Sequence, residues 1–328
     1  MEGETILQPS PSDGVSSVRF APSTNVVLAG CWDSTLLLYD ANGQGRHLNT
    51  FHSEGPVLDS AFLDNTHAVG VGIDQAVRVF DLNEPASSTV LGHHSKPIRC
   101  ANYAPPINTL FTGGWDAKVM AWDPRSGTGQ PTATLAMPDK VFTMDLKDTK
   151  LVVGTAGRRV VCYDLRNLHG PPLWERESSL KFQTRALRCF PDGQGFALAS
   201  IEGRVSIEYF DPDAEAKKYA FKCHRIQNTV FPVNAIAFHP GHGTFATGGC
   251  DGFVNVWDGK NKKRLCQLPS FPTSVAALDF NHDGTLLAVA ASYTFEEGEK
   301  DHPADQIYIR AIGDSDVRPK PRVQQPAE

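Results

Sequence analysis

Positively charged side chains are concentrated in the middle of the chain, in a pattern suited to binding anions. Residues 178–189 contain Lys181, Arg185 and Arg188 and no acid, although the whole chain has a net charge of −6. Further bases lie at Lys118, Arg159, Arg204, Lys222, His224 and Arg225. Because a guanidinium group is a planar fork of donors, this pattern predicts recognition of a carboxylate or phosphate group. The ligand would be an acidic or phosphorylated peptide or a nucleic-acid backbone, and a simply solvated charged surface is the alternative.

Two tryptophans lie directly before acidic turn residues. Trp32 precedes Asp33 and Trp115 precedes Asp116. An indole beside positive charge is typical of an anchor in a binding surface. Both rings could equally cover the edge of a β-sheet, and the sequence leaves the two interpretations open.

Motifs for catalysis, metal binding or cofactor binding are missing from the sequence. It contains no GxSxG, P-loop or HExxH motif. Its seven cysteines form an odd set without a CxxC pair, which favours buried thiols over disulfides or zinc. We therefore expect no enzymatic activity, no catalytic or metal-binding residue and no cofactor. The longest apolar run has six residues, 286–291, and residues 1–10 lack a signal-peptide pattern, so we expect neither a membrane span nor secretion.

An internal repeat determines the elements that position these side chains. Six segments combine a small residue, a turn and an apolar alternation; their turn positions are Asp33, Asp74, Asp116, Gly157, Glu202 and Asp251. The turns follow one another at steps of 41 to 49 residues, and the closing residue lies seven residues after the turn in all six. Seven apolar openings, with a final strand in 306–312, give seven units. This period, together with WD dipeptides at 122–123 and 257–258, is typical of a WD-repeat β-propeller.

The repeat predicts an all-β, single-domain, seven-bladed WD-repeat β-propeller over residues 5–312, followed by a disordered tail at 313–328. Each blade would have four strands, and closing the ring would protect the sheet edges. Residues 5–8 would supply the strand that completes blade seven. A buried hydrogen-bonded tetrad of the fold is expected at His93, Thr112, Asp116 and Trp122, which we interpret as framework residues.

Strand parity places the candidate binding residues on one face of the ring. With strands a to d running alternately up and down, the b–c turns and the connections between blades share what we call the upper face. Counting five residues back from the end of each opening strand gives a β-branched aliphatic in six repeats and Arg185 in the remaining one. A guanidinium group there, near the upper end of the central channel, needs either a bound ligand or an internal acid as its partner.

Long strings of the chain resemble one WD-repeat family in particular. They are ESSLKFQTR (177–185), ASIEGRVSIEYFDP (199–212), KKYAFKCHR (217–225), the stretch 231–267 and GTAGRRVVCYDLRN (154–167). The likeness runs from about Asp13 to Ile312 and is to the spindle-checkpoint WD-repeat adaptors, the small partners of the budding-uninhibited-by-benzimidazoles kinases. IEGR and FKCHR are shared with the sister family of nuclear-pore mRNA export factors, whereas SSLKFQTR and VNVWDGKNKKRLCQ resemble the checkpoint branch more closely.

The resemblance implies a non-enzymatic scaffold of the spindle assembly checkpoint, in the nucleus, at kinetochores in mitosis and also in the cytoplasm. Its implied partners are the acidic GLEBS motif of the checkpoint kinase and its pseudokinase relative, phosphorylated Met-Glu-Leu-Thr repeats of the outer-kinetochore scaffold, and the checkpoint complex that inhibits a ubiquitin ligase. No membrane or direct nucleic-acid partner is expected. The implied GLEBS-binding residues are Arg185, Arg204, Lys181 and Trp115, and those for the phosphopeptide are Trp32, Lys222 and Arg225. The alternative is a nuclear-pore-associated mRNA export factor that binds a nucleoporin GLEBS motif.

Overall fold

Seven four-stranded antiparallel sheets form the protein, as the seven-unit repeat predicts. The computed structural model describes residues 4–127 and 129–320. The sheets are the blades of a β-propeller, with strand a innermost and strand d outermost, and the predicted fold class is confirmed.

The strands of blades 1 to 4, in the order a to d, are Val15–Phe20, Val26–Cys31, Thr35–Asp40 and Arg46–His52; Val57–Phe62, His67–Gly72, Ala76–Asp81 and Ser88–His93; Ile98–Ala104, Thr109–Gly114, Lys118–Trp122 and Ala133–Ala136; Val141–Lys147, Lys150–Thr155, Arg159–Asp164 and Trp174–Glu177. Those of blades 5 to 7 are Thr184–Cys189, Gly195–Ser200, Arg204–Tyr209 and Tyr219–Lys222; Val233–Phe238, Phe245–Gly249, Val254–Asp258 and Lys263–Gln267; Val275–Phe280, Leu286–Ala291, Gln306–Ala311 and, as the outermost strand, Glu4–Ile6. Short 3-10 helices cover Pro105–Ile107, Ala156–Arg158 and Pro212–Lys217, and an α-helix, α1, covers Asp314–Val317.

The position of a strand within its blade explains its sequence pattern. Strand b of blade 5, Gly195–Ser200, is buried at every position because both faces of the sheet pack against neighbouring blades. Strand d of blade 4, Trp174–Glu177, alternates between half-buried and exposed residues at the rim. Continuous runs of small and apolar residues therefore mark the inner strands, and alternating runs mark the outer ones.

The two ends of the chain close the ring in blade seven. Glu4–Ile6 pairs antiparallel with Gln306–Ala311, with Thr5 opposite Ile309. At the junction of blades 7 and 1, the Phe20 amide donates to Asp279 over 2.8 Å, and the Val15 amide donates to the Ser292 hydroxyl over 2.9 Å. The predicted completion of blade seven by the N-terminal segment is confirmed, with the strand one residue nearer the N-terminus than expected.

The framework tetrad contains His94, and the predicted His93 is wrong. His94 contacts Asp116 through Nδ1 at 3.0 Å and the Thr112 hydroxyl through Nε2 at 2.8 Å, while Trp122 Nε1 donates to the same hydroxyl at 2.8 Å. His93 ends strand d of blade 2 with its side chain exposed. Only the residue after the strand can turn back under the b–c turn, which is why the second histidine of the pair is buried.

Arg185 is not the counterpart of the six aliphatic residues, so the register predicted for strand a of blade 5 was one residue out. The residue opposite the end of strand b is Thr184, which pairs with Ser200 as Val15 pairs with Cys31. The strand ends at Cys189, and Phe190, from which the count began, lies one residue beyond it. Thr184 is buried and occupies the aliphatic position, whereas Arg185 lies in the irregularity that follows.

The segment after the last strand is partly ordered against blade 6. Val317 of α1 is buried, its carbonyl accepts a hydrogen bond from the Thr244 hydroxyl over 2.7 Å, and Asp314 contacts His242 at 2.8 Å. The predicted disorder from 313 onward therefore does not describe residues 313–320, and its remainder, 321–328, lies outside the described residues. Among the described residues, no helix has both the length and the apolar composition of a transmembrane span.

Candidate functional site

A β-bulge near the start of strand a turns one side chain of nearly every blade toward the ring axis. The pairing with strand b skips the strand's second residue in each blade, and six of these seven residues line one cavity of about 60 Å³: Ser16, Arg99, Phe142, Arg185, Asn234 and Ala276. A bulge re-aims the side chain it carries, which is its common use beside binding sites. Arg185 therefore lies at the upper end of the channel, as predicted, but for a different geometric reason.

Arg185 rests on a neutral side chain. Its Nη2 and Nε donate to the Asn234 side-chain oxygen over 3.0 and 3.3 Å. No carboxylate oxygen of the described residues lies within 4.0 Å of the guanidinium group, so the alternative of an internal acid partner is not met.

A second arginine, which the sequence argument missed, occupies the same position two blades away. Arg99 donates to the Leu58 carbonyl over 3.2 Å and lines the same cavity. Burial, assisted by the positive charge of Arg99, lowers the pKa of Arg185, yet an arginine stays protonated at physiological pH. Comparing the second residues of the seven opening strands, once aligned by their bulges, would have found Arg99.

Arg204 and Lys181 meet at one acidic residue of the upper face. Glu202 accepts a hydrogen bond from the Lys181 amide over 2.8 Å and lies 3.8 Å from Arg204 Nε. The Lys181 side chain is exposed, and Arg204 Nε is buried without a hydrogen-bond partner among the described residues. Glu202 therefore offsets part of the Arg204 charge at long range and leaves donors of both bases available.

The connection between blades 5 and 6 folds over the b–c turn of blade 5. It contains a short hairpin of Arg225–Ile226 and Thr229–Val230. Gly203 has φ +63°, and a Cβ atom there would lie 2.6 Å from the His224 carbonyl oxygen, so this turn requires glycine. Since Arg204 also pairs with Lys222 across strands c and d, the structure brings Arg204, Lys222 and the Arg225 hairpin into one region.

His224 does not belong to the exposed basic group predicted at Lys222 and Arg225. It is fully buried, contacts Asp251 at 2.8 Å and the Thr247 hydroxyl at 2.9 Å, and Trp257 Nε1 donates to that hydroxyl at 2.9 Å. Blade 6 therefore has the same tetrad as blade 3. The spacing from His224 to Asp251 exceeds that in blade 3, and this hid the match.

Other bases of the predicted patch are already paired inside the protein. Arg159 donates to Glu175 over 2.6 Å, and Arg158 forms an ion pair with Glu177. Arg188 lies deeper in the channel, where burial lowers its pKa and the charge of Asp145 opposes that change. The charge that remains for a ligand is thus concentrated at Arg185, Arg99, Lys181 and the 204–225 region.

The two tryptophans differ in exposure and belong to different blades. Trp32 is 46% exposed, with its ring over Gly14, whereas Trp115 is half-buried and its Nε1 has no acceptor among the described residues. Trp32 belongs to blade 1, so blades 6 and 7 separate it from Lys222 and Arg225. The structure does not bring the three residues predicted for the phosphopeptide into one cluster.

Exposed apolar side chains accompany the bases on the upper face. Of eight large hydrophobic residues exposed in the described part of the chain, five lie there: Trp32, Phe182, Ile226, Val230 and Phe295. Phe182 follows Lys181 directly and is 54% exposed. Of these five, only Trp32 is among the residues predicted from the sequence, although an apolar residue among polar neighbours in a connection is a usable signal.

The arrangement is suited to a ligand that combines acidic and apolar side chains. The guanidinium groups at the channel can accept carboxylates, and Phe182 and Ile226 offer apolar contact beside them. No group of three or more His, Cys, Asp or Glu side chains within 4–127 and 129–320 could hold a metal ion.

Comparison with known proteins assigns the chain to a family. A family model described as WD domain, G-beta repeat, matches residues 4–40, 86–123 and 216–258. The chain is 48% identical to mitotic checkpoint protein BUB3.1 of Arabidopsis thaliana, over 97% of this chain and 95% of that protein, and 46% identical to mitotic checkpoint protein bub3 of Dictyostelium discoideum, over 93% and 94%. It is 36% identical to mRNA export factor GLE2 of Chaetomium thermophilum, over 99% and 94%. With this identity over nearly the whole propeller, the chain belongs to the BUB3 family of WD-repeat proteins, of which GLE2 represents a sister branch.

Proposed function

We propose that the protein is a non-enzymatic adaptor of the spindle assembly checkpoint, acting in the nucleus and at kinetochores in mitosis, and also present in the cytoplasm. Its upper face binds the acidic GLEBS motif of a checkpoint kinase or pseudokinase. The observation that carries the proposal is the charge of Arg185, which lies with Arg99 at the channel without a carboxylate partner among the described residues. The names of the more similar relatives, which are mitotic checkpoint proteins, support the same role.

Within this proposal Arg185 and Arg204 face the glutamates of the motif, and Lys181 and Trp115 contact its flanks. A peptide that orders on binding loses conformational entropy. Because the propeller is already rigid, only the peptide pays this entropic cost. The adaptor then joins the checkpoint complex that inhibits a ubiquitin ligase.

Docking on phosphorylated Met-Glu-Leu-Thr repeats is the second part of the proposal. Lys222 and Arg225 are exposed, Lys222 before the hairpin and Arg225 at its first position, so they suit the charge of about −1.5 to −2 that a phosphate adds. Trp32 lies too far round the ring to contact the same phosphate, so it serves a more distant part of the phosphorylated segment. Lys222→Glu with Arg225→Glu should remove the preference for phosphorylated over unphosphorylated repeat peptide.

Charge reversal tests the GLEBS site. Arg185→Glu and Arg204→Glu should each cost about 2–5 kcal/mol of binding free energy toward a labelled GLEBS peptide in fluorescence anisotropy. The matched control is Arg46→Glu, an exposed arginine on the outer strand of blade 1. Full binding by both variants, with thermal midpoints like that of the unmodified protein, would refute the site.

The second candidate function is mRNA export at the nuclear pore, favoured by the relation to GLE2. It requires RNA binding that weakens steeply with salt. A titration that detects no RNA binding at low salt would remove this candidate.

A further inference from the structure

A groove of about 790 Å³ lies between blades 5 and 6 on the lower face, opposite Arg185. It is formed by the a–b and c–d turns of these two blades, within residues 190–194, 216–219, 238–243 and 259–262. Its volume exceeds that of any single side chain and is in the range of ligand-binding clefts. Nothing in the function proposed above uses this groove.

Aromatic rings form the floor of the groove. Phe190 packs against Tyr209 and Phe238 with ring centroids 5.7 and 5.5 Å apart, and Phe238 packs on Phe245 at 5.1 Å. The first three are only half-buried, so they present apolar surface to the groove. The groove is open at Gly243, where a Cβ atom would meet nothing within 4 Å.

The rim of the groove is positively charged. Lys217, Lys260 and Lys262 are exposed along it, and Asp192 is the one acid among its described lining residues. Asp192 is paired with Lys260 at 3.4 Å, and Lys262 Nζ lies 4.5 Å from the centre of the Tyr219 ring. In a protein of net charge −6 this rim favours an anionic partner.

We propose that this groove is a second protein-docking site, which binds an acidic linear segment of a partner protein. The segment inserts an aromatic or large aliphatic side chain onto the floor formed by Phe190, Tyr209 and Phe238, and its flanking carboxylates pair with Lys217 and Lys262. A single-stranded nucleic acid suits the site less well. Stacking of a base needs an open ring face, whereas these rings pack edge-on or tilted against one another and Lys262 covers Tyr219.

This docking site makes the ring bivalent. The groove and the Arg185 cavity open on opposite faces, so a GLEBS segment and a second partner can bind together. The inference does not depend on which GLEBS protein occupies the upper face.

A peptide selection tests the proposal. A phage library of random 12-residue peptides is panned on the full chain and depleted on the Lys217→Glu, Lys262→Glu double variant, which keeps the upper face intact. We expect the remaining peptides to be acidic with one aromatic or large aliphatic residue. Their affinity, measured by fluorescence anisotropy, should fall about tenfold or more on the double variant.

Two further variants fix the position of the peptide. Ala216→Trp is an exposed substitution that fills the groove without changing charge, and it should weaken the peptides similarly. The matched charge control, Lys96→Glu with Lys140→Glu, alters exposed lysines of the upper-face connections and should leave affinity within about twofold. All variants should keep the thermal midpoint, and the groove variants should keep the binding of a GLEBS peptide, so failure here is distinct from failure of the checkpoint proposal.

Three outcomes would overturn the proposal. The first is a selection without peptides that distinguish the groove variants from the control. The second is binding of a 12-nucleotide single-stranded RNA that Ala216→Trp abolishes while peptides fail to bind. The third is clearly tighter peptide binding by a chain truncated after Lys320, because residues 321–328 would then be the natural occupant. The Lys320 carbonyl accepts a hydrogen bond from Asn261 beside the groove, so the truncated segment begins close to it.

Discussion

Arg185 donates both Nε and Nη2 to the side-chain oxygen of Asn234, so a cation of blade 5 rests on a neutral amide of blade 6. The amide cannot turn freely, because its nitrogen donates to the Val275 carbonyl over 3.1 Å and to Cys250 Sγ over 3.2 Å. Asn234 therefore orients the guanidinium group without neutralising it. An acid at position 234 would give Arg185 the internal carboxylate partner that it lacks among the described residues.

Asn234→Asp should weaken GLEBS peptide binding about tenfold or more while the protein stays folded. The new carboxylate would pair with Arg185 and compete with the glutamates of the ligand, and tenfold corresponds to about 1.4 kcal/mol. Isothermal titration calorimetry measures the affinity and differential scanning fluorimetry the fold. Asn65→Asp, the same change at an exposed site on the lower face, is the control, and equal affinities for the two variants would contradict the proposed pairing of Arg185 with the glutamates of the ligand.

The repeat spacing predicted the seven blades because each blade is formed by consecutive residues, which determine its turns and the lengths of its strands. The site was harder to predict because it depends on how blades meet. The bulge that points Arg185 and Arg99 at the axis is a property of strand pairing, which a residue count cannot see. In blade 5 the count began at Phe190, one residue beyond the end of the strand, and was therefore one residue out. The choice between His93 and His94 depends on the residue at which strand d of blade 2 ends, which the sequence does not show.

His94→Ala should lower the free energy of unfolding by about 2–4 kcal/mol, whereas His93→Ala should change it by less than about 0.5 kcal/mol. His94 is buried and joins Asp116 to Thr112, so its removal leaves a buried carboxylate and a hydroxyl short of partners. His93 is exposed. Urea unfolding of both variants makes the comparison, and equal losses would mean that the tetrad does not stabilise blade 3.

Stability should decrease as the pH falls from about 7.5 to 5.5, and His239→Asn should reduce this dependence. Burial, together with the charge of His242, lowers the pKa of His239 below its ordinary value of 6.5. The unfolded chain then binds more protons than the folded one, so this contribution is complete above pH 6.5 and is lost below it. Burial also lowers the pKa of His94, so part of the dependence of stability on pH remains in the His239→Asn variant.

Asparagine is the appropriate replacement because His239 Nδ1 accepts hydrogen bonds from the amides of Gly241 and His242, both at 3.1 Å. The asparagine oxygen can accept from the same amides and does not titrate. Unfolding in urea at several pH values measures the slope, and His52→Asn, at an exposed position of blade 1, should keep it unchanged. An identical slope in His239→Asn would show that His239 is not the group responsible.

Two tryptophan-to-phenylalanine substitutions separate framework from binding surface. Trp122→Phe removes the donor to Thr112, leaves that buried hydroxyl with His94 as its one remaining side-chain partner among the described residues, and should cost about 1–3 kcal/mol of stability. Trp115→Phe removes a donor that has no acceptor among the described residues, so its cost should be at least about 1 kcal/mol smaller. If Trp115 contacts the GLEBS segment as proposed, Trp115→Phe should instead weaken peptide binding, because the peptide would supply the missing acceptor. Calorimetric binding and urea unfolding on both variants measure the two effects, and a Trp115→Phe protein that is destabilised as strongly as Trp122→Phe but binds normally would make Trp115 a structural residue only.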